Sequence, residues 1–122
     1  MLEFGQKVNG NALSLLERLE AETPELFDQA LHQDALELEA DSVAVVPVEE
    51  AELQRSSRVE KIDGGYTVGY YKDYALYVHE MPDTNNFTKP GTGPKFLQRP
   101  HERRVKDFEG RMARRLKQAM GV

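Results

Sequence analysis

The stretch RVEKIDGGYTVGYY, residues 58–71, decides the fold. Tyr66, Val68 and Tyr70 alternate at a period of two, which is typical of a strand with one buried face. Before this strand lies Asp-Gly-Gly, which tolerates the positive φ angles of a tight hairpin turn. The segment of about 57–71 is therefore predicted to form an antiparallel β-hairpin.

A long helix is predicted before this hairpin. Pro24 suits the first turn of a helix, and Pro47 ends or kinks it, because proline lacks an amide hydrogen and clashes with the preceding turn. Between the two prolines, apolar and small residues recur at steps of three or four, as on one helix face. This face consists of Phe27, Leu31, Ala35, Leu38, Ser42 and Val45. Further upstream we expect a short strand within residues 2–8 and a helix that begins near Asn11.

A second region of helix is predicted at the carboxyl end. An apolar stripe with helical spacing comprises Val105, Phe108, Met112, Leu116 and Ala119. Residues 74–81 fit either a helix or a strand, with a slight preference for a short helix, and residues 82–95 are predicted to form a long loop rich in proline and glycine. Residues 1–122 are thus expected to form one α+β domain, with a small antiparallel sheet against two or three helices and a long C-terminal helix.

Charge is distributed unevenly along the chain. Residues 1–60 carry a net charge of −10, residues 61–94 carry −1 and residues 95–122 carry +6. Such a distribution suits head-to-tail association between copies, or a basic helix on nucleic acid. Two solvated surfaces of opposite sign would give the same pattern. The longest apolar run, residues 43–48, is too short to cross a membrane.

No pattern in the sequence indicates catalysis. The chain has no cysteine, and its three histidines form no helical metal-binding pair. Residues 91–95, Gly-Thr-Gly-Pro-Lys, superficially match a phosphate-binding loop, but Pro94 removes an amide that such a loop would use. We therefore expect no enzyme activity, no cofactor and no metal site.

Three segments together resemble a known family. They are ADSVAVVPVEEAELQRSS at 40–57, YALYVHE at 74–80 and GTGPKFLQRP at 91–100. In content, order and rough spacing they are similar to the type-1 neck and tail-completion proteins of long-tailed bacteriophages. The positions that carry the resemblance are Pro47, Val48, Leu53, Ser56, Tyr74, Ala75, Tyr77, Val78, Glu80, Phe96, Leu97 and Pro100.

The resemblance implies an α+β subunit without catalytic residues that forms a ring, often of six copies, in the neck or at the top of the tail. The expected partners are further copies of the chain and other neck, connector and tail-tube proteins, with DNA passing through the ring. The position within the neck, as connector, stopper, terminator or completion protein, stays open. The protein is expected in the virion after synthesis in the host cytoplasm.

A set of exposed-type side chains is predicted to contact partners. It comprises Arg103, Arg104, Arg111, Arg114, Arg115, Phe87, Tyr74 and Tyr77. Acidic residues of the first half are expected to meet the basic helix of a neighbouring copy. The alternative function is a small nucleic-acid-binding protein that uses the same basic helix, with tyrosines stacking on bases. A small hydrolase or metal-dependent enzyme is a more distant alternative.

Overall fold

The computed structural model describes residues 2–5, 13–84 and 86–121, so the predicted helix cap at Asn11 lies outside the described residues. The elements are β1 (Leu2–Gly5), α1 (Leu13–Glu22), α2 (Pro24–Val43), a 3₁₀ turn (Val48–Glu50), α3 (Ala51–Arg55), β2 (Ser57–Ile62), β3 (Gly65–Tyr70), α4 (Ala75–Glu80), α5 (Gln98–Val105) and α6 (Phe108–Met120). The predicted α+β class is confirmed.

The sheet has three antiparallel strands in the order β1-β3-β2. Val59 of β2 and Phe4 of β1 both lie opposite Val68 of the central strand. Gly64 has a φ of 80° in the turn between β2 and β3, a conformation that costs glycine little because it has no Cβ. The hairpin is where the sequence predicts it, and β1 occupies residues 2–5 of the predicted strand, whose residues 6–8 lie outside the described part of the chain.

Helix α2 lies between the sheet and the two C-terminal helices, with contacts to β2, β3, α5 and α6. Its buried residues are Phe27, Ala30, Leu31, Asp34, Ala35, Leu38 and Ser42. Five of these belong to the predicted stripe and confirm it over that length; its sixth member, Val45, lies beyond α2, which ends at Val43, four residues before Pro47. Ser42 Oγ and the buried hydroxyl of Tyr70 form a 2.7 Å hydrogen bond that joins α2 to the central strand.

The segment after the hairpin is helical, as the slight preference predicted. Helix α4 buries Ala75, Val78 and His79, whereas Leu76 and Tyr77 between them are exposed. Between α4 and α5 the described residues form neither helix nor strand, in agreement with the predicted loop at 82–95.

The predicted C-terminal helix is present but divided. Helix α5 ends at Val105, and α6 begins at Phe108 after Asp107, whose φ is −120°. In a continuous helix the carbonyl of Arg104 would accept a hydrogen bond from the amide of Phe108. Here it accepts from the amide of Asp107 at 3.3 Å and from the Arg111 guanidinium at 2.9 Å. The break turns Val105 outward, while Phe108 stays buried.

Candidate functional site

A buried carboxylate lies between α2 and the C-terminal helices. The side chain of Asp34 is 0% exposed. Its Oδ1 accepts hydrogen bonds from Arg104 Nη2 at 2.8 Å, Arg111 Nε at 2.7 Å and Arg115 Nη1 at 2.9 Å. Such partners are required, because a buried charge without them is strongly unfavourable.

Two further carboxylates of α2 extend this arrangement. Glu37 accepts a hydrogen bond from Arg104 at 2.8 Å and another from Arg115, and Asp41 accepts one from Arg104 at 3.1 Å. Burial by itself raises the pKa of Asp34, but hydrogen bonds from its arginine partners outweigh burial and hold that pKa below its ordinary value. We call these six residues the Asp34 cluster: Asp34, Glu37, Asp41, Arg104, Arg111 and Arg115.

The Asp34 cluster uses three of the five arginines that the sequence assigns to a partner contact. Arg104, Arg111 and Arg115 pair with carboxylates of their own chain that lie 63 to 81 residues earlier. The other two, Arg103 and Arg114, are exposed, and Arg114 pairs with Asp107 at 2.8 Å in an open position. A contact between copies through α5 and α6 remains a prediction. Of the five arginines assigned to it, the exposed Arg103 and Arg114 are the ones available.

Sequence reasoning missed the role of Asp34. Its position carried a signal, because it lies three residues after Leu31 and four before Leu38, on the predicted buried face of α2. A carboxylate on an apolar stripe needs a partner that compensates its buried charge, and the arginine-rich C-terminal region could supply one.

The three segments that carry the family resemblance lie together in space. The amide of Gly93 donates to the carbonyl of Val45 at 3.0 Å, and the amide of Lys95 donates to the carbonyl of His79 at 2.8 Å. The ring of Phe96 packs edge-on against His79 and Tyr70, with ring centroids 5.0 Å apart in both pairs. Side chains of the second and third segments therefore share one core.

Most positions of the resemblance are buried. The buried ones are Pro47, Leu53, Ser56, Ala75, Val78, Phe96, Leu97 and Pro100. Tyr74 is half-buried against the core, whereas Val48, Tyr77 and Glu80 are exposed. The buried positions serve the fold, so only the exposed ones are available to another molecule.

Helix α4 presents the most prominent apolar surface of this kind. Leu76 is 57% exposed and Tyr77 is 72% exposed, side by side on the helix. They line a shallow recess of about 650 Å³ with Asp73, Glu80, Met81 and Pro82. We call these six residues the α4 patch. Its floor is apolar, and its charged residues are both acidic.

The side chain of Phe87 packs partly against another residue of its own loop, Gly93. It is half-buried, and its ring packs so closely on Gly93 that an added Cβ there would come within 3.3 Å of it. Arg99 secures the same loop by donating to the carbonyls of Pro94 at 3.1 Å and Gly91 at 3.4 Å. Phe87 therefore offers a partner only part of its surface.

No family model, curated protein or solved structure matches the chain. Among the side chains that the structure describes, no group of three or more histidines or carboxylates is placed to hold a metal ion. The described helices include none with the length and apolar character needed to span a bilayer.

Proposed function

We propose that the chain is a structural subunit of the neck or tail-completion region of a long-tailed phage. Copies assemble into a ring, with six the number that the resemblance implies, and join the tail to the head around the DNA channel. The ring contacts other neck, connector and tail-tube proteins. In this function the chain acts by fitting surfaces together and performs no catalysis.

The exposure of the α4 patch is the observation that carries this proposal. Leu76 and Tyr77 hold most of their surface in water, while Ala75 and Val78 beside them are buried. Contiguous exposed apolar surface is often functional, and Leu76 and Tyr77 together present such a surface. Tyrosine is also enriched at protein interfaces, because it combines a large apolar ring with a polar tip.

The occupant that we assign to the α4 patch is a second copy of the chain. Asp73 gives the patch an acidic rim, whereas Glu80, its other carboxylate, already pairs with Lys95 of the same chain. The end of α5 has complementary character, since exposed Val105 lies between Arg103 and Lys106, which are also exposed. A contact between two different surfaces of the same chain is heterologous, and repeated contacts of this type form a ring when the rotation between copies closes, as we propose here.

The acidic surface suits the lumen of such a ring. Residues 1–60 carry a net charge of −10, and the Asp34 cluster neutralises only part of it. In our proposal part of this acidic surface faces the channel, where repulsion between like charges keeps the passing DNA from adhering.

The alternative function, nucleic-acid binding through the C-terminal helix, has weaker support. Three arginines of α5 and α6 are already neutralised by Asp34 and its neighbours. Arginines that pair with carboxylates of their own chain contribute less to binding phosphates, so fewer charges of this helix are available to nucleic acid.

The proposal is tested by measuring the mass of the assembly with light scattering and by imaging it with electron microscopy. Wild type is expected to form rings at low salt, and Tyr77→Asp is expected to yield monomers. Ile62→Asp is the matched control, because Ile62 is an exposed apolar residue at the hairpin, 45% exposed and outside the α4 patch. This control is expected to assemble normally.

A charge exchange sharpens the assignment of the two surfaces. Asp73→Lys and Lys106→Asp should each weaken assembly, and the double variant should restore it. A wild-type chain that stays monomeric under all conditions and is absent from purified virions would refute the proposed function.

A further inference from the structure

A second recess lies at the open end of the hairpin, away from its turn, where α3, β2 and the end of β3 meet. Its volume is about 450 Å³, and it is lined by Glu52, Arg55, Ser56, Arg58, Tyr71 and Lys72. We call it the basic recess. None of its residues belongs to the α4 patch or to the Asp34 cluster.

Arg58 is held in a defined position within the basic recess. Its Nη1 donates to the carbonyls of Ser57 at 2.7 Å and Arg55 at 3.3 Å. Its guanidinium lies 5.9 Å from the ring centroid of Tyr71. These contacts use one nitrogen of the fork, so the other donors of Arg58 can bind an anion without much ordering of the side chain.

The basic recess has an excess of positive charge. Among the described residues that line it, three are cations and one, Glu52, is a carboxylate; Glu52 lies 3.6 Å from Lys72 in an exposed pair. The recess therefore keeps a net charge of about +2 in a chain whose net charge is −5. The arginines of the Asp34 cluster, in contrast, are matched by buried or half-buried carboxylates.

Tyr71 adds an aromatic surface to this charge. It directly follows β3 and is 45% exposed, whereas Tyr70 before it is fully buried. The hydroxyl of buried Ser56 accepts a hydrogen bond from the amide of Tyr71 at 3.3 Å, which fixes the backbone there. An exposed ring beside positioned cations is the combination that binds a nucleotide, with the phosphate on the cations and the base on the ring.

We propose that the basic recess binds the backbone of single-stranded nucleic acid. Arg55 and Arg58 contact phosphate oxygens, Lys72 adds long-range attraction, and Tyr71 stacks on an unpaired base. A duplex fits less well, because its bases are already stacked and cannot reach the ring. All of these residues belong to one subunit, so the binding site goes beyond the proposed function and does not depend on assembly.

The test is fluorescence anisotropy with a labelled single-stranded oligothymidine and a duplex of equal length, each titrated with the full chain at 50 to 200 mM salt. Wild type is expected to bind the single strand more tightly than the duplex. Tyr71→Ala should weaken single-strand binding at least about fivefold, and Tyr71→Phe should retain it, because stacking needs only the ring. Replacing Arg55 and Arg58 together by alanine should reduce the salt slope by about 1.4, or about 0.7 for each lost phosphate contact.

The matched control replaces Arg18 and Lys89 by alanine, which removes the same charge from exposed positions on α1 and in the loop before α5, outside the proposed contact between copies. Its affinity should stay within about twofold of wild type, whereas general attraction to any basic surface would make both double variants equally weak. The proposal is overturned by that equality, by tighter binding to the duplex, or by an unchanged affinity of Tyr71→Ala. It is also overturned if wild type fails to bind at 50 mM salt. None of these results would bear on ring assembly, which is measured by mass.

Discussion

Replacing Asp34 by asparagine tests how α5 and α6 are held against α2. The substitution removes the charge but keeps nearly the same side-chain volume. The carboxylate accepts hydrogen bonds from three arginines at 2.7 to 2.9 Å. Asparagine would leave these cations without their central partner and place a neutral amide among their donors.

The size of the effect follows from burial and from the remaining partners. Removing one member of a buried ion pair costs about 3–5 kcal/mol. The arginine side chains keep 15%, 17% and 20% of their surface exposed, and Glu37 still pairs with two of them. We therefore expect the lower end of that range, about 3 kcal/mol, which corresponds to a fall in melting temperature of about 10 °C for a chain of this length.

The measurement is urea unfolding followed by circular dichroism at pH 7, with Asp107→Asn as the control. Asp107 forms its ion pair with Arg114 at an exposed position, where both side chains are more than half exposed. Exposed pairs contribute about 1 kcal/mol or less. A loss for Asp34→Asn no larger than that of Asp107→Asn would refute the reasoning.

The pH dependence provides a second readout of the same contact. The folded pKa of Asp34 lies below its ordinary value of 3.8. The stabilisation by its carboxylate is therefore complete at pH values above this ordinary pKa and is lost as pH falls through the folded pKa. The difference in unfolding free energy between wild type and Asp34→Asn should therefore be largest near neutral pH and narrow below about pH 4. A difference that stays constant down to pH 2 would contradict this assignment.

Three further predictions concern other parts of the fold. Gly64→Ala should destabilise the protein by about 1 kcal/mol in thermal unfolding, because residue 64 has a φ of 80° and alanine is strained there; an unchanged melting temperature would contradict it. Ser42→Ala should cost about 1–3 kcal/mol by leaving the buried hydroxyl of Tyr70 without its partner, and adding Tyr70→Phe should recover part of this loss in a double-mutant cycle. Burial lowers the pKa of His79 despite the opposing effect of Glu80, and burial also lowers the pKa of His101. Wild type should therefore lose stability as pH falls below about 6.5, because the unfolded chain then binds the additional protons; His79→Gln should reduce this dependence between pH 7 and 5, and His101 should retain the rest.

The division of the C-terminal helix shows where a periodic pattern is insufficient. Val105 and Phe108 fit one apolar stripe by spacing, yet the first is exposed and the second is buried. At the break, the guanidinium of Arg111 donates to the carbonyl of Arg104 and also to Asp34. Asp34 lies far earlier in the chain, so no local window of sequence contains both Asp34 and Arg111.

The candidate surfaces show the same limit. Alternation along β3 predicts that Tyr70 is buried, but only the folded chain shows that Tyr71 and Tyr77 are exposed. The predicted contact residues were chosen by charge and aromatic character. The structure assigns Arg104, Arg111 and Arg115 to the chain's own carboxylates, and it directs attention to Leu76, which sequence reasoning did not select.

The sequence by itself determined the elements whose causes are local. The hairpin follows from alternation around Asp-Gly-Gly, and the buried face of α2 follows from steps of three and four between its prolines, since both patterns report neighbours along the chain. Tertiary structure alone decided which charges remain available to other molecules. Arg115 and Asp34 are 81 residues apart, and only packing α6 against α2 brings them within hydrogen-bond distance, because the helical period places Asp34 on the buried face but does not identify its partners.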